Sequence, residues 1–233
     1  MRKSLTVILL CCVAGLYSCK NTVNGIDLDI HDPQHILWVE DVIDDDLLEL
    51  FGEEHIHFGH TPPNLDGVSF MVNGLFYDTC VRYRKVTING VSSIEPSYVN
   101  PGFENSVYKH HFFHQDGNII QQRMFIEDHN HNQSLIECDT TYLVGSGDDF
   151  SVYFKWKIYS EQEGNPTWAF LVSGTLVYDS TSLLGIKDYR IGKKIIDIEI
   201  PPVAGYYPGT CMILHPYNTT IPFLPLQDWD TIQ

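Results

Sequence analysis

Basic residues are scarce in this 233-residue chain, where 14 Lys and Arg stand against 30 Asp and Glu for a formal net charge of −16. Affinity for nucleic-acid phosphates comes from clustered cations, so DNA and RNA are excluded as partners. No apolar run reaches the ~20 residues that a membrane-spanning helix needs. There is no C-x-x-C pair, which removes the usual zinc and thiol-exchange spacings. Also missing are H-E-x-x-H, the G-x-S-x-G elbow, the P-loop, G-x-G-x-x-G after a strand and the EF-hand calcium loop. No internal repeat of fixed period is visible. What the chain does have is 43% hydrophobic and 12% aromatic residues, a composition that suits a packed domain and argues against disorder.

Arg2 and Lys3 precede the apolar stretch Leu5 to Ala14, which gives way to small and turn-forming residues before Cys19. That is the layout of an export signal over residues 1–18. At Leu16-Tyr17-Ser18-Cys19 the sequence resembles the lipobox of bacterial lipoproteins, and the resemblance implies lipidation of Cys19 after cleavage. Loss of Arg2 and Lys3 leaves 12 basic residues and a mature charge of −18. Acyl chains contribute ~0.8 kcal/mol per buried methylene, so the implied partner is a lipid bilayer that the protein is anchored to and does not span. Residues 19–34 are polar and read as a tether. In lipoproteins of this kind, acids directly after the cysteine mark export to the cell surface. Lys20-Asn21-Thr22-Val23 has none, which implies an outer-membrane position facing the periplasm. Three cysteines remain in the mature chain, Cys80, Cys138 and Cys211, an odd number whose pairing the spacing leaves open.

A short helix is predicted from Asp44 to Phe51, with acids in its first turn where they favour the helix dipole. Beyond Gly67 the pattern is one of strands. Val68, Phe70 and Val72 alternate, and Val81 to Ile88 ends in Asn89-Gly90, a strong hairpin signal. Tyr108 to His114 turns at Asp116-Gly117 into a strand with Ile120, Met124 and Ile126 on one face. Ile136, Cys138, Tyr142 and Val144 lead to Gly145-Ser146-Gly147-Asp148-Asp149. The clearest alternation is Val152, Phe154, Trp156 and Ile158, followed after a polar turn by Trp168, Phe170, Val172, Leu176 and Tyr178. Ile186 to Tyr189 and Lys194 to Ile200 read as two more short strands, and residues 203–233 as an irregular tail wrapping the body.

Successive hairpins without intervening helices imply an antiparallel meander, whose edges are managed by closure into a barrel or by packing two sheets. The expectation is an all-β fold, an antiparallel up-and-down barrel with a short N-terminal helix over residues 35–202, with a β-sandwich as the alternative. The entry Gly59-x-x-Pro62-Pro63-Asn64-x-x-Gly67, the Gly174 bend and Gly185-Ile186-Lys187-Asp188 resemble elements of lipocalin-like barrels in uncharacterised lipoproteins of the Bacteroidota type. The resemblance spans about Leu47 to Ile200 and implies a lipocalin-like barrel.

Eight of the 11 histidines fall in the stretch from His31 to His114. On strands, His55 with His57 and His110 with His114 would share faces, and neutral imidazole is a zinc ligand. Asp128-His129-Asn130-His131 is a further candidate loop. None matches a metal signature, and half-buried histidines without metal are the favoured reading. The acidic loop at Asp148-Asp149 reads as a hairpin turn, Asp44-Asp45-Asp46 as a helix start. No catalytic residue, metal or cofactor is nominated. The aromatics carry the functional expectation: a wall of Val152, Phe154, Trp156, Ile158, Trp168, Phe170 and Val172 binding a small apolar or amphipathic ligand without catalysis. The alternative is a solid-cored module that contacts an envelope protein or glycan.

Overall fold

A computed structural model describes residues 22–23, 26–27, 45–128, 133–159, 163–202 and 206–224. The chain divides into two units, residues 1–40 and 41–233. In the first, β1 (Thr22–Val23) and β2 (Ile26–Asp27) pair as a small antiparallel hairpin. Cys19 and the preceding residues lie outside the described set, as does most of the tether.

The second unit opens with α1 (Asp45–Phe51) and a 3-10 turn (Glu53–His55), then β3 (His60–Thr61). Ten strands follow: β4 (Ser69–Ile88), β5 (Val91–Val99), β6 (Gly102–Asp116), β7 (Ile119–Glu127), β8 (Gln133–Ser146), β9 (Asp149–Lys157), β10 (Pro166–Asp179), β11 (Ser182–Ile198), β12 (Cys211–Pro216) and β13 (Thr220–Pro222). They form one eleven-stranded sheet with β3, antiparallel at every pairing except β3 with β8. The all-β expectation therefore holds. Among the described residues no helix is long and apolar enough to cross a membrane.

The order of pairing follows the chain. β4 pairs with β6, and β6 through β12 pair each with the next, while β12 pairs back onto β4. Apart from β4 with β6, β11 with β12 and the return of β12 onto β4, the pairings are between consecutive strands joined by short connections, which makes them inexpensive to close. Two elements differ from expectation. Ile186 to Tyr189 and Lys194 to Ile200 do not form two strands; β11 runs through both. Nor is the C-terminal segment wholly irregular, since Cys211–Pro216 fills the place between β11 and β4. Met212, Ile213 and Leu214 are buried there, and the burial of these side chains outweighs the turn-forming prolines around them.

Alternation gives the sheet two faces. One carries Phe70, Val72, Tyr108, His110, Phe112, Met124, Ile136, Phe154, Phe170 and Val172, all buried. Contacts across this face join strands that are not neighbours: Phe70 on β4 meets Tyr189 on β11, with centroids 5.5 Å apart. The opposite face is covered in part by the segment before the first long strand. Leu47 and Phe51, four residues apart on α1, are fully buried against Gly192, where a Cβ would meet Phe51 Cδ2 at 2.8 Å. Arg190 Nη1 donates to the Phe51 carbonyl at 2.7 Å and satisfies the helix end.

The glycines of the entry have a definite task. Gly145 N–H donates to Gly59 O at 3.3 Å, and a Cβ on Gly59 would stand 2.3 Å from the Gly145 carbonyl oxygen. With φ at +155° as well, only glycine fits this approach of β3 to β8. Further on, Leu65 N–H donates to Gln115 Oε1, Asp66 N–H to Asn64 Oδ1 and Gly67 N–H to Phe112 O. The entry is thereby tied to β6.

Candidate functional site

The register brings the wall residues together. Trp156 lies opposite Trp168, Phe154 opposite Phe170 and Val152 opposite Val172 on the β9–β10 pair. The four deeper side chains, Val152, Phe154, Phe170 and Val172, are no more than 2% exposed. Trp156, Ile158 and Trp168 are half-buried at the other end, where Ile158 N–H donates to Pro166 O. Phe154 and Phe170 stack on each other, filling the space between them with their own rings.

Facing this apolar pair across the same buried face is a polar set, of which the sequence singled out His110 and Trp168 but not Gln122, Thr141 or Tyr189. On β6, His110 is fully buried and stacked on Phe70, with centroids 4.7 Å apart. Its Nε2 shares a 2.9 Å hydrogen bond with the Tyr189 hydroxyl. Burial pushes the His110 imidazole down to a pKa of about 3 and holds the Tyr189 phenol well above its ordinary value. Both are neutral. A phenol donating to Nε2 leaves Nδ1–H as an unused donor; the reverse leaves Nδ1 an acceptor.

His110 Nδ1 is buried without a hydrogen-bond partner among the described residues. The same is true of both amide atoms of Gln122, of Thr141 Oγ1 and of Trp168 Nε1. The pairings place His110, Gln122 and Thr141 on the neighbouring strands β6, β7 and β8 of one face, with Trp168 on β10 beyond β9. Phe112, two residues from His110, lies opposite Gln122, and Gln122 lies opposite Cys138. Thr141 lies opposite Ile120, two residues from Gln122, across a bulge in β8. A signal for Gln122 exists in the sequence: it is the polar interruption in the apolar series Ile120, Met124, Ile126.

The half-buried end holds a cation. Lys193 Nζ donates to the Tyr108 hydroxyl at 2.9 Å and lies 5.6 Å and 5.9 Å from the ring centres of Tyr108 and Trp168. Such a cation over aromatic faces is stabilised electrostatically and keeps an amphipathic rim at that end.

The histidine pairs do not assemble as strand periodicity suggested. His110 is buried while His114 is exposed, because a register shift between Phe113 and Asp116 puts His114 at φ +53°. His55 ends the 3-10 turn and His57 lies in irregular backbone, its N–H donating to Ser151 Oγ at 2.8 Å. Burial lowers the His57 pKa, opposed by Asp149. The candidate loop at His129 to His131 lies outside the described residues. Among those described, no group of three or more His, Cys, Asp or Glu is placed to hold a metal. Asp148 lies in the turn between β8 and β9, and Cys80 and Cys211, on adjacent strands, point to opposite faces of the sheet.

A polar surface cleft of about 190 Å³ is lined by His55, Asp188, Arg190 and His215. Two of these side chains are held by a carboxylate beside the cleft: Asp78 lies 2.6 Å from Arg190 Nη2 and 2.9 Å from His215 Nε2.

No protein-family model, curated protein or solved structure matches the chain.

Proposed function

We propose that this protein is a lipid-anchored lipoprotein of the cell envelope whose eight strands β4 and β6 to β12 form a lipocalin-like barrel binding a small apolar or amphipathic ligand without catalysis. One observation carries the reading. The buried face leaves His110 Nδ1, both Gln122 amide atoms, Thr141 Oγ1 and Trp168 Nε1 without partners among the described residues. Buried polar atoms in folded proteins are nearly always hydrogen-bonded, and each left alone costs about 1–3 kcal/mol. A core serving only as a scaffold gains nothing from them. A bound molecule with hydroxyl, carbonyl or amide groups offsets that cost, while its apolar part lies against Phe154 and Phe170. The ligand's deep end is uncharged in this reading, because the imidazole facing it is neutral and a buried ion without a partner is strongly disfavoured.

The anchor at Cys19 and the periplasm-facing outer-membrane position are part of the same proposal, supported by the signal layout of residues 1–18. Metabolic labelling with a palmitate analogue should mark the wild-type chain and not a Cys19→Ser variant.

The second reading, a solid-cored interaction module, is favoured by the face-to-face packing of Phe154 on Phe170. Native mass spectrometry of the membrane-purified chain and titration with N-phenyl-1-naphthylamine separate the two. The carrier reading expects a small molecule that copurifies, or saturable probe binding that Gln122→Leu weakens by about fivefold, the equivalent of one hydrogen bond. Absence of both a copurifying molecule and probe binding overturns it in favour of the module.

A further inference from the structure

The outer half of β4 and its partner β5 leave the rest of the sheet. β6 pairs with β4 from Ser69 to Tyr77 and β12 from Leu75 to Val81. From Arg82 to Ile88 the only strand paired with β4 among the described residues is β5, in the register Ile88↔Val91, Lys85↔Ile94 and Arg84↔Glu95. The root of this ribbon is braced: Tyr83 N–H donates to Thr210 Oγ1, Tyr207 N–H donates to Tyr83 O, and Arg82 lies 5.1 Å from the Tyr206 ring centre. Past Tyr83 the ribbon projects for five residues to its turn, about 17 Å at the usual rise of a strand.

What it projects is apolar and basic. Ile88, Val91 and Ile94 are 60%, 72% and 51% exposed. Ile88 and Val91 face each other across the Asn89-Gly90 turn, so their side chains share one face at the extreme tip. Behind them sit Arg84 and Lys85, both exposed. Residues 82–99 hold three of the chain's 14 basic residues and one of its 30 acidic ones, a local excess of positive charge in a strongly acidic protein. Two isolated strands of this kind bury too little to be favoured for packing alone, and a rigid root with a greasy, cationic end is suited to a surface outside the domain.

We propose that the β4–β5 ribbon is a membrane-contact element, inserting Ile88 and Val91 among the acyl chains of an anionic bilayer while Arg84 and Lys85 meet lipid phosphates. Charge complementarity selects this occupant. An acidic body is repelled by an anionic bilayer, so contact concentrates where the sign reverses, and each cation near such a surface strengthens binding about fivefold. A second copy is disfavoured, since antiparallel self-pairing of β5 about its centre sets Glu95 against Glu95, and Pro96 lacks the N–H that a new ladder requires. The contact would fix how the domain sits on the bilayer. It stands independently of the ligand site and of the lipidated cysteine.

Hydrogen exchange of the membrane-purified full chain tests it, read segment by segment with and without vesicles. Amides from Lys85 to Ile94 should exchange about tenfold more slowly with vesicles of phosphatidylcholine and phosphatidylglycerol, and much less so with phosphatidylcholine alone. Ile88→Ser combined with Val91→Ser should abolish the effect, as should Arg84→Glu with Lys85→Glu, while exchange in Tyr108–Phe112 and Val152–Phe154 stays unchanged to report an intact fold. Unchanged exchange in the ribbon, or equal protection on both kinds of vesicle, overturns the proposal. Protection that rises with protein concentration in the absence of vesicles also overturns it and identifies a second copy as the occupant.

Discussion

Phe154 on β9 and Phe170 on β10 stand directly opposite each other with ring centroids 4.8 Å apart and planes within 1° of parallel. Val152 and Val172 pair beside them in the same register, so the stack belongs to a continuous apolar seam. Truncating a buried phenylalanine removes its transfer energy and leaves a cavity that the surrounding sheet fills only in part. Phe170→Ala should lower unfolding free energy by about 3–5 kcal/mol in urea titrations. A loss below 1 kcal/mol would mean that the seam is loosely packed.

The neutral state of His110 makes a pH prediction. Its folded-state pKa, about 3, lies below the unfolded value near 6.5. Between these limits the unfolded chain binds a proton that the folded one refuses, so this contribution is fully present above pH 6.5 and is lost as pH falls toward 3. The slope from one such group approaches 1.36 kcal/mol per pH unit. The difference in stability between wild type and His110→Phe should therefore shift in favour of the variant across that window and be constant above pH 7. A difference independent of pH from 7 to 4 would refute the buried neutral imidazole. His57, also lowered by burial, remains in both proteins and cancels.

The β9–β10 seam was readable in advance because strict alternation sorts residues onto faces, and two clean alternating runs joined by a short turn fix their own pairing. Val152, Phe154, Trp156, Trp168, Phe170 and Val172 thus met as expected. The strand β12 was hidden by its surroundings: the six residues Cys211–Pro216 give too short a window for periodicity, and only the vacancy between β4 and β11 makes them a strand. The His110–Tyr189 bond was hidden by distance, since 79 residues separate the partners and no motif links the two residue types. His114 misled for a local reason, the bulge that flips side-chain direction at the end of β6. Chemistry-bearing residues on this face were the least legible because each is a single polar break in an apolar pattern.

The seat of α1 depends on an absence of side chain at Gly192. A Cβ there would meet Phe51 Cδ2 at 2.8 Å and Leu47 Cδ1 at 3.2 Å, both closer than ordinary packing allows. The helix has only seven residues and too few internal hydrogen bonds to hold itself. Gly192→Val should displace it and cost about 1–3 kcal/mol, with faster hydrogen exchange at Leu47 to Phe51 and little change in β6 or β7. If exchange accelerates equally throughout the sheet, α1 is not a separable cover.

Gln122 offers a test in which stability and binding move in opposite directions. Its two amide atoms are buried with no partner among the described residues, while Ile120 and Met124 on either side of it are fully buried and apolar. Replacing such a group by an apolar residue of similar volume removes a desolvation cost and leaves no new orphan behind, because no group among the described residues depends on it. Gln122→Leu should therefore stabilise the ligand-free protein by about 1–3 kcal/mol in urea unfolding. If the amide serves a bound molecule, the same change weakens N-phenyl-1-naphthylamine binding or the retention of a copurifying ligand. Gain of stability with loss of binding is the pattern expected where a core position is kept polar for function. Gain of stability with binding unchanged would remove Gln122 from the site, and a marked loss of stability would show that the amide is satisfied inside the folded protein and that the unpartnered set is smaller than the geometry indicates.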